Sequence, residues 1–487
     1  MKKLSILSAV AMALVMLASC SDDDNNYLQP RHFDDTTAPT VVSVTPADGS
    51  TELDTIESIT VTYDKPIFRA PNTSIRVYTT DTTYYYVDDT ISQVVNGNQL
   101  VIPIDTKPNT SYKIEILKPS VRDSSYNFAA DFQTTFSTRL YNLFDSTKFD
   151  ISPVPVNENA TEPTKKLYSY LLSQFGKATL SGAMAEVNHN TQNADYINSI
   201  TGKYPAINTF DFVHFYQSAP LNPSNWIDYT DNSIEEGWYN NGGIVSYMWH
   251  WAVPNSQADE KKYSTYKFYV NQDDDAQNTK FRTTFAVLPS KWEYKHLTRD
   301  MDIIADYLLA LQAKGIPVIW RPLHEAAGTV PNGGKAWFWW GNAGSSVYKR
   351  IWQRMYTYFK QKGVNNLIWV WTSCGNDADW YPGDEYVDIV AHDYYENDVA
   401  KYHSSASNYF NELREMTGGK KMITCAECGA IPSYQNMFND GAIWSWTMPW
   451  YGDFTTNGIY NSPDFLIEQM DSKYVITRDE LPSFKSE

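Results

Sequence analysis

Between residues 164 and 480 the chain alternates short apolar runs with amphipathic stretches, and this alternation constrains its fold more than any other feature. Eight runs read as buried strands: 179–184, 206–209, 244–249, 318–320, 367–371, 387–390, 422–425 and 442–446. Apolar residues at helical spacing fill the gaps, most clearly over 301–313 and 347–362. Strands separated by helices pair in parallel. Eight such units over roughly 300 residues have the size of an α/β fold closed as a (β/α)8 TIM barrel. Residues 252–295 carry few strand signals and predict a long excursion after the third strand, on the face where strands end.

In a barrel of parallel strands the chemistry gathers at the C-terminal strand ends. The fourth run leads into Arg321-Pro-Leu-His-Glu325, and Trp337, Trp339 and Trp340 follow soon after. A carboxylate at a strand end, walled by aromatics, suits a catalytic acid. A buried Arg321–Glu325 ion pair with core tryptophans is the other reading. The seventh run, Met422-Ile-Thr-Cys-Ala-Glu-Cys-Gly, ends in a lone Glu427. Its offset from Glu325, 427 − 325 = 102, corresponds to three βα repeats, which separate the fourth strand from the seventh. Two carboxylates across one mouth can protonate a leaving oxygen and attack a sugar carbon, as glycoside hydrolysis requires.

The runs Arg321-Pro-Leu-His-Glu325, Trp337-Phe-Trp-Trp-Gly341 and Ala426-Glu-Cys-Gly429 occur in this order and at these spacings. Together they resemble the acid/base and nucleophile motifs of glycoside hydrolase family 26, mostly β-mannanases on a (β/α)8 barrel. The resemblance spans about residues 164–476. It departs in two places, the loop 329–336 between acid and tryptophans and Cys428 where an aromatic is usual. It implies an endo-acting, retaining β-1,4-mannanase with Glu325 as acid/base and Glu427 as nucleophile. Mixed-linkage β-glucan or β-1,3-xylan as substrate, and a non-catalytic surface glycan-binding lipoprotein, are the alternatives. The resemblance further implies that His250 touches the sugar near the cleavage point and that His324 positions substrate or the second carboxylate. Tyr395 would donate its hydroxyl to the nucleophile, with Asp393 beside it and Tyr394 the competitor should the register slip by one. Trp337 matches a subsite tryptophan, and Trp446, at the expected end of the eighth strand, is assigned the floor of the −1 subsite. No cofactor is implied. A zinc site at His324-Glu-Ala-Ala-Gly328 lacks the second histidine that such a site needs.

The N-terminus reads as targeting. Lys2 and Lys3 precede an apolar stretch over 4–17, too short for an ordinary spanning helix, and Leu17-Ala-Ser-Cys20 closes it. That box resembles a bacterial lipoprotein processing site: 1–19 would be the signal peptide and Cys20 the lipidated residue, a membrane anchor. The acidic leader Ser21-Asp-Asp-Asp-Asn-Asn26, in a tether over 20–38, resembles surface-export tags. We expect a monomeric outer-membrane lipoprotein facing outward, with a periplasm-facing one as the alternative. Residues 39–139 carry short alternating strands and turn clusters and predict an Ig-like β-sandwich. All 16 tryptophans lie at or beyond Trp226, so the sandwich reads as a spacer. Residues 140–163 read as a connector to the barrel domain, 164–480. The net charge of −18 argues against nucleic acid as a partner. Besides Cys20 there are Cys374, Cys425 and Cys428; an odd number leaves at least one free thiol. Strand alternation predicts Cys425 on the face of Glu427 and Cys428 on the other. A Cys374–Cys428 bridge stays open.

Overall fold

A computed structural model of the protein describes residues 35–71, 73–79, 84–86, 94–222 and 227–485. The signal segment, Cys20 and most of the tether lie outside the described residues. The chain divides into two units, at Arg139 and Leu140.

The first unit is a β-sandwich. One sheet orders Val41–Thr45, Ser58–Tyr63, Gln99–Pro103 and Val94–Asn96; the other orders Ser50–Leu53, Phe132–Thr138, Ser111–Leu117, Ser74–Thr79 and Tyr84–Tyr86. Period-2 alternation places Ile59, Val61 and Tyr63 inward with Ile75, Val77, Leu100, Ile102, Ile114 and Ile116, while Thr60 and Thr62 face outward. Ser50–Leu53 shows no such alternation because both of its faces are largely exposed.

The second unit is a closed parallel barrel. Its strands are β1 Thr179–Met184, β2 Ile207–Asp211, β3 Ile244–Trp249, β4 Val318–Pro322, β5 Leu367–Ser373, β6 Ile389–Tyr394, β7 Met422–Cys428 and β8 Trp446–Pro449. Each pairs in parallel with the next, and β8 returns to β1 through Leu180 opposite Trp446. Every residue of β1, β3, β4, β5, β7 and β8 is buried, since these strands are covered inside and outside. The helix Ser345–Lys362 shows how the outer layer is specified. Tyr348, Ile351, Trp352, Met355, Tyr356 and Phe359 recur at three- and four-residue steps and are buried. Gly363, at φ 81°, then ends it in the left-handed conformation that glycine adopts without penalty.

Three expectations move. The connector belongs to the barrel unit: Leu143 N–H bonds the Phe438 carbonyl, and Phe144 and Phe149 pack with Phe175 and Phe410. β8 starts at Trp446 rather than ending there. Residues 442–445 are a buried lead-in: Ala442 N–H closes the helix Tyr434–Asn439 on the Met437 carbonyl, and the Trp444 indole donates to the Ser405 carbonyl. The Cys425/Cys428 alternation also fails. The β7–β8 register shifts between Cys425 and Cys428, the β6–β7 register shifts between Cys425 and Glu427, and the Cys425 thiol donates to the Glu427 carbonyl (3.4 Å), so simple alternation does not hold across this stretch. All three described cysteines are free, so there is no Cys374–Cys428 bridge.

The excursion after β3 is built of short 3-10 turns and is pinned from below. The Trp251 indole donates to Asp300 Oδ2 (2.9 Å) on the helix Trp292–Ala313, and the Trp339 indole donates to the Trp251 carbonyl (2.6 Å).

Candidate active site

β4 delivers the first carboxylate by an unusual turn. Beyond Pro322, Leu323 (φ 50°) and Glu325 (φ 49°) both sit in the left-handed region, which is costly for side chains of this size. Strain of this kind persists only where the surroundings enforce it, and it clusters at functional sites. Here the turn is held by the Trp340 indole, which donates to the His324 carbonyl (2.9 Å), and by Tyr348, whose hydroxyl donates to the Leu323 carbonyl (3.1 Å). Glu325 then enters the mouth, where the half-buried Trp337 donates its indole N–H to Oε2 at 3.0 Å.

β6 and β7 deliver two more carboxylates. One oxygen from each of Glu325, Asp393 and Glu427 falls within 4.8 Å of the others. Three negative charges so close and so dry would not persist without compensation. Arg321, 2% exposed, supplies it: Nη1 donates to Asp393 Oδ2 (3.0 Å) and Nη2 to Glu427 Oε1. The Tyr395 hydroxyl donates to the other Glu427 oxygen at 3.0 Å. Arg321 is therefore not the ion-pair partner of Glu325. Its guanidinium lies against two of the three carboxylates and offsets part of the charge of a cluster whose spacing would also allow a metal ion.

The two glutamates thus meet opposite surroundings. Burial, and then the charge of Asp393, push the Glu325 carboxyl up to about 8; Arg321 and the Trp337 N–H pull the other way, and a hydrogen bond with Asp393 adds to the rise. Burial raises the Asp393 carboxyl as well, but there the Arg321 guanidinium, at hydrogen-bond distance, opposes it, which favours the shared proton on Glu325. Glu427 carries two donors that stabilise its negative charge. One carboxyl favoured in its protonated form and one favoured in its ionised form, in a single cleft, are chemically suited to general-acid and nucleophilic work respectively.

The remaining expected residues divide. His250, after β3, bonds Asp211 through Nδ1 (2.5 Å to Oδ2) and through its backbone N–H (3.0 Å to Oδ1). His324, 2% exposed, lies edge-on to His250 at 4.5 Å; burial holds its pKa well below the ordinary histidine value, so it is neutral. Its Nδ1 has no hydrogen-bond partner. Tyr394 turns away to Ser404 and Glu396. Trp339 and Trp340 are fully buried wall. Trp446 is corrected: it begins β8, 3% exposed, and lies at the far end of that strand from the mouth. Trp450, directly after β8 and so at the mouth end of that strand, is half-buried, with its ring 6.1 Å from His250 and 5.1 Å from Tyr451. Beyond Glu325 on the other side lies a cavity of about 380 Å³ lined by Trp337, Cys374, Tyr395, Glu396 and Tyr409. Asp211 and Trp450 were not found from the sequence. The available signals were an aspartate two residues past the expected end of β2 and an aromatic pair after Pro449.

A family model for glycosyl hydrolase family 26 matches residues 156–480, and one for a bacterial Ig-like domain matches 35–138. The chain belongs to glycosyl hydrolase family 26. A mannan endo-1,4-β-mannosidase B from Piromyces sp. is 34% identical over 342 residues, 69% of this chain and 54% of the relative. One from Thermothelomyces thermophilus is 34% identical over 68% of this chain and 63% of its own length. The chain thus spans between half and two thirds of these curated relatives. Among solved structures, the family 26 domain of a Prevotella bryantii endo-β-mannanase/endo-β-glucanase is 38% identical, with a TM-score of 0.59, covering 68% of this chain and 99% of that one. A β-mannanase from a symbiotic protist of the termite Reticulitermes speratus, complexed with gluco-manno-oligosaccharide, is 32% identical over 69% and 99%, with the same TM-score of 0.59.

Proposed function

We propose that this chain is an endo-acting β-1,4-mannanase that cleaves with retention of configuration. The observation that carries the mechanism is the pair of carboxyls with oxygens within 4.8 Å in opposite surroundings, Glu325 pushed up by burial and then by Asp393, Glu427 accepting from Arg321 and Tyr395. Retaining glycosidases hold the two roughly 5–5.5 Å apart, whereas inverting ones leave room for a water between them. Glu427 attacks the anomeric carbon as Glu325 gives its proton to the departing glycosidic oxygen, leaving a glycosyl–Glu427 ester. Glu325, now a carboxylate, takes a proton from water; that water displaces Glu427, and both side chains return to their starting states. Arg321 and Tyr395 receive the charge that returns to Glu427.

The choice of mannan is supported by the relatives, which are named mannan endo-1,4-β-mannosidases. A β-glucan reading has one support, the endo-β-glucanase half of the Prevotella bryantii protein's name. Product analysis on mannan, galactomannan, glucomannan, lichenan and β-1,3-xylan separates them. Short manno-oligosaccharides from the first three, with lichenan and xylan intact, are expected; preferential cleavage of lichenan or xylan overturns the substrate assignment.

We also propose a lipid anchor on Cys20, with the catalytic unit displayed outward by the acidic leader and the Ig-like unit. The support is the Leu17-Ala-Ser-Cys20 box.

A further inference from the structure

We propose that Asp211 is a positioning residue: it holds the His250 imidazole with its proton on Nδ1 and so presents Nε2 to the cleft as an acceptor for a hydroxyl of the bound sugar. The inference rests on the glycoside hydrolase reading for its substrate, but its geometry stands apart from the three carboxylates.

Both oxygens of Asp211 are committed to one residue. Oδ1 accepts the backbone N–H of His250 at 3.0 Å, and Oδ2 lies 2.5 Å from Nδ1. The backbone bond fixes the carboxylate and the carboxylate then fixes the ring. An ionised carboxylate only accepts, so the proton between Oδ2 and Nδ1 belongs to the imidazole. Among the described residues, the hydrogen bonds of His250 to Asp211 run through Nδ1 and the backbone N–H and leave Nε2 uncommitted. The side chains of His250 and Asp211 are 12% and 8% exposed, so little of the pair other than the cleft edge meets water. Phe268 (5.1 Å), Phe338 (5.6 Å) and His324 (4.5 Å) crowd the imidazole and keep it from swinging out. Asp211 is itself anchored, since the Tyr229 hydroxyl donates to its carbonyl at 2.7 Å. Trp450 stands nearby, its ring 6.1 Å from the imidazole and steeply inclined to it, so the His250 ring and an indole share one corner, a pairing that suits a sugar's hydroxyl edge and C–H face together.

Asp211→Asn tests this without changing shape. The amide oxygen still accepts the His250 backbone N–H, but the amide nitrogen now faces Nδ1 as a donor. Nδ1 must become the acceptor, and the ring proton moves to Nε2, which can then only donate, so the sugar hydroxyl has to turn and give up the hydrogen bond it donated in the wild type. Losing a well-formed hydrogen bond and leaving a mismatched donor lowers kcat/KM by about 10- to 100-fold. The loss should be equal on mannan and on an activated aryl mannoside, because it lies on the sugar side of the cleaved bond. The imidazole ¹⁵N shifts of His250 should switch from the Nδ1–H to the Nε2–H pattern. In a His250→Ala background the same substitution should cost nothing further. An unchanged kcat/KM together with a switched tautomer overturns the proposal, as does an equal loss when His250 is absent. If the wild type cleaves no β-mannoside, the hydrolase reading falls, and the ¹⁵N pattern alone then decides whether Asp211 sets the ring.

Discussion

The division of labour between the carboxylates makes the position of one proton measurable. Glu325 must be protonated to act as acid, and its carboxyl is pushed up to about 8, second to burial by the charge of Asp393. Wild-type kcat/KM on mannan should therefore hold below that value and fall as pH rises through it. Asp393→Asn removes the repulsive charge and keeps an oxygen for Arg321. Glu325 and Asp393 oxygens lie within 4.8 Å, and two charges at that outer distance in an effective dielectric of about 20 repel by about 3 kcal/mol. That figure corresponds to about 2 pH units. Water entering the loosened cluster takes back part of it, so the alkaline limb should move down by about 1–2 pH units. The assay is kcat/KM against pH on mannan and on an aryl mannoside with a good leaving group, which needs little protonation and should show a shallower limb in both proteins. An alkaline limb that stays in place in a folded Asp393→Asn variant would refute the assignment of Glu325 as the group that Asp393 keeps protonated.

Other substitutions separate the remaining roles. Glu427→Ala should abolish turnover of every substrate, whereas Glu325→Ala should spare the first step on the activated mannoside; equal loss on both substrates for both variants would contradict the two roles. Trp450→Ala should raise KM for mannan by about 10-fold or more, as expected for losing a half-buried aromatic ring at the mouth, while Trp446→Ala should act on stability, read as a lowered Tm. Arg321→Met leaves two buried carboxylates uncompensated and should cost about 3–5 kcal/mol of stability in chemical denaturation. Cys20→Ser should move the protein from the membrane fraction to the soluble one with its activity intact, since acyl chains supply the anchoring energy.

The barrel was legible because strands buried on two faces leave continuous apolar runs, and Val318–Pro322 and Met422–Cys428 are such runs. Glu325 and Glu427 were legible for the complementary reason: each is a lone acid closing an apolar run. Residues 442–446 misled because Trp444 is as buried as a strand residue while serving a connection. Burial pattern alone does not tell a packed lead-in from a strand. Asp211 was missed because a polar residue reads as a strand's end, yet the ladder continues to it opposite Met248. The Cys425/Cys428 reading failed because a register shift is a property of two strands, written in neither alone. The Arg321 pairing with Asp393, 72 residues away, is likewise set by closure of the barrel.

The measurement that tests the central claim most directly is the trapping of the glycosyl-enzyme. A 2-deoxy-2-fluoro mannosyl donor with a good leaving group slows the second displacement more than the first. Peptide mass spectrometry of the inactivated protein should place a single sugar on Glu427, and Glu427→Gln should take up none. A sugar found on Glu325 or Asp393, or release of the inverted anomer with no adduct, would contradict the account.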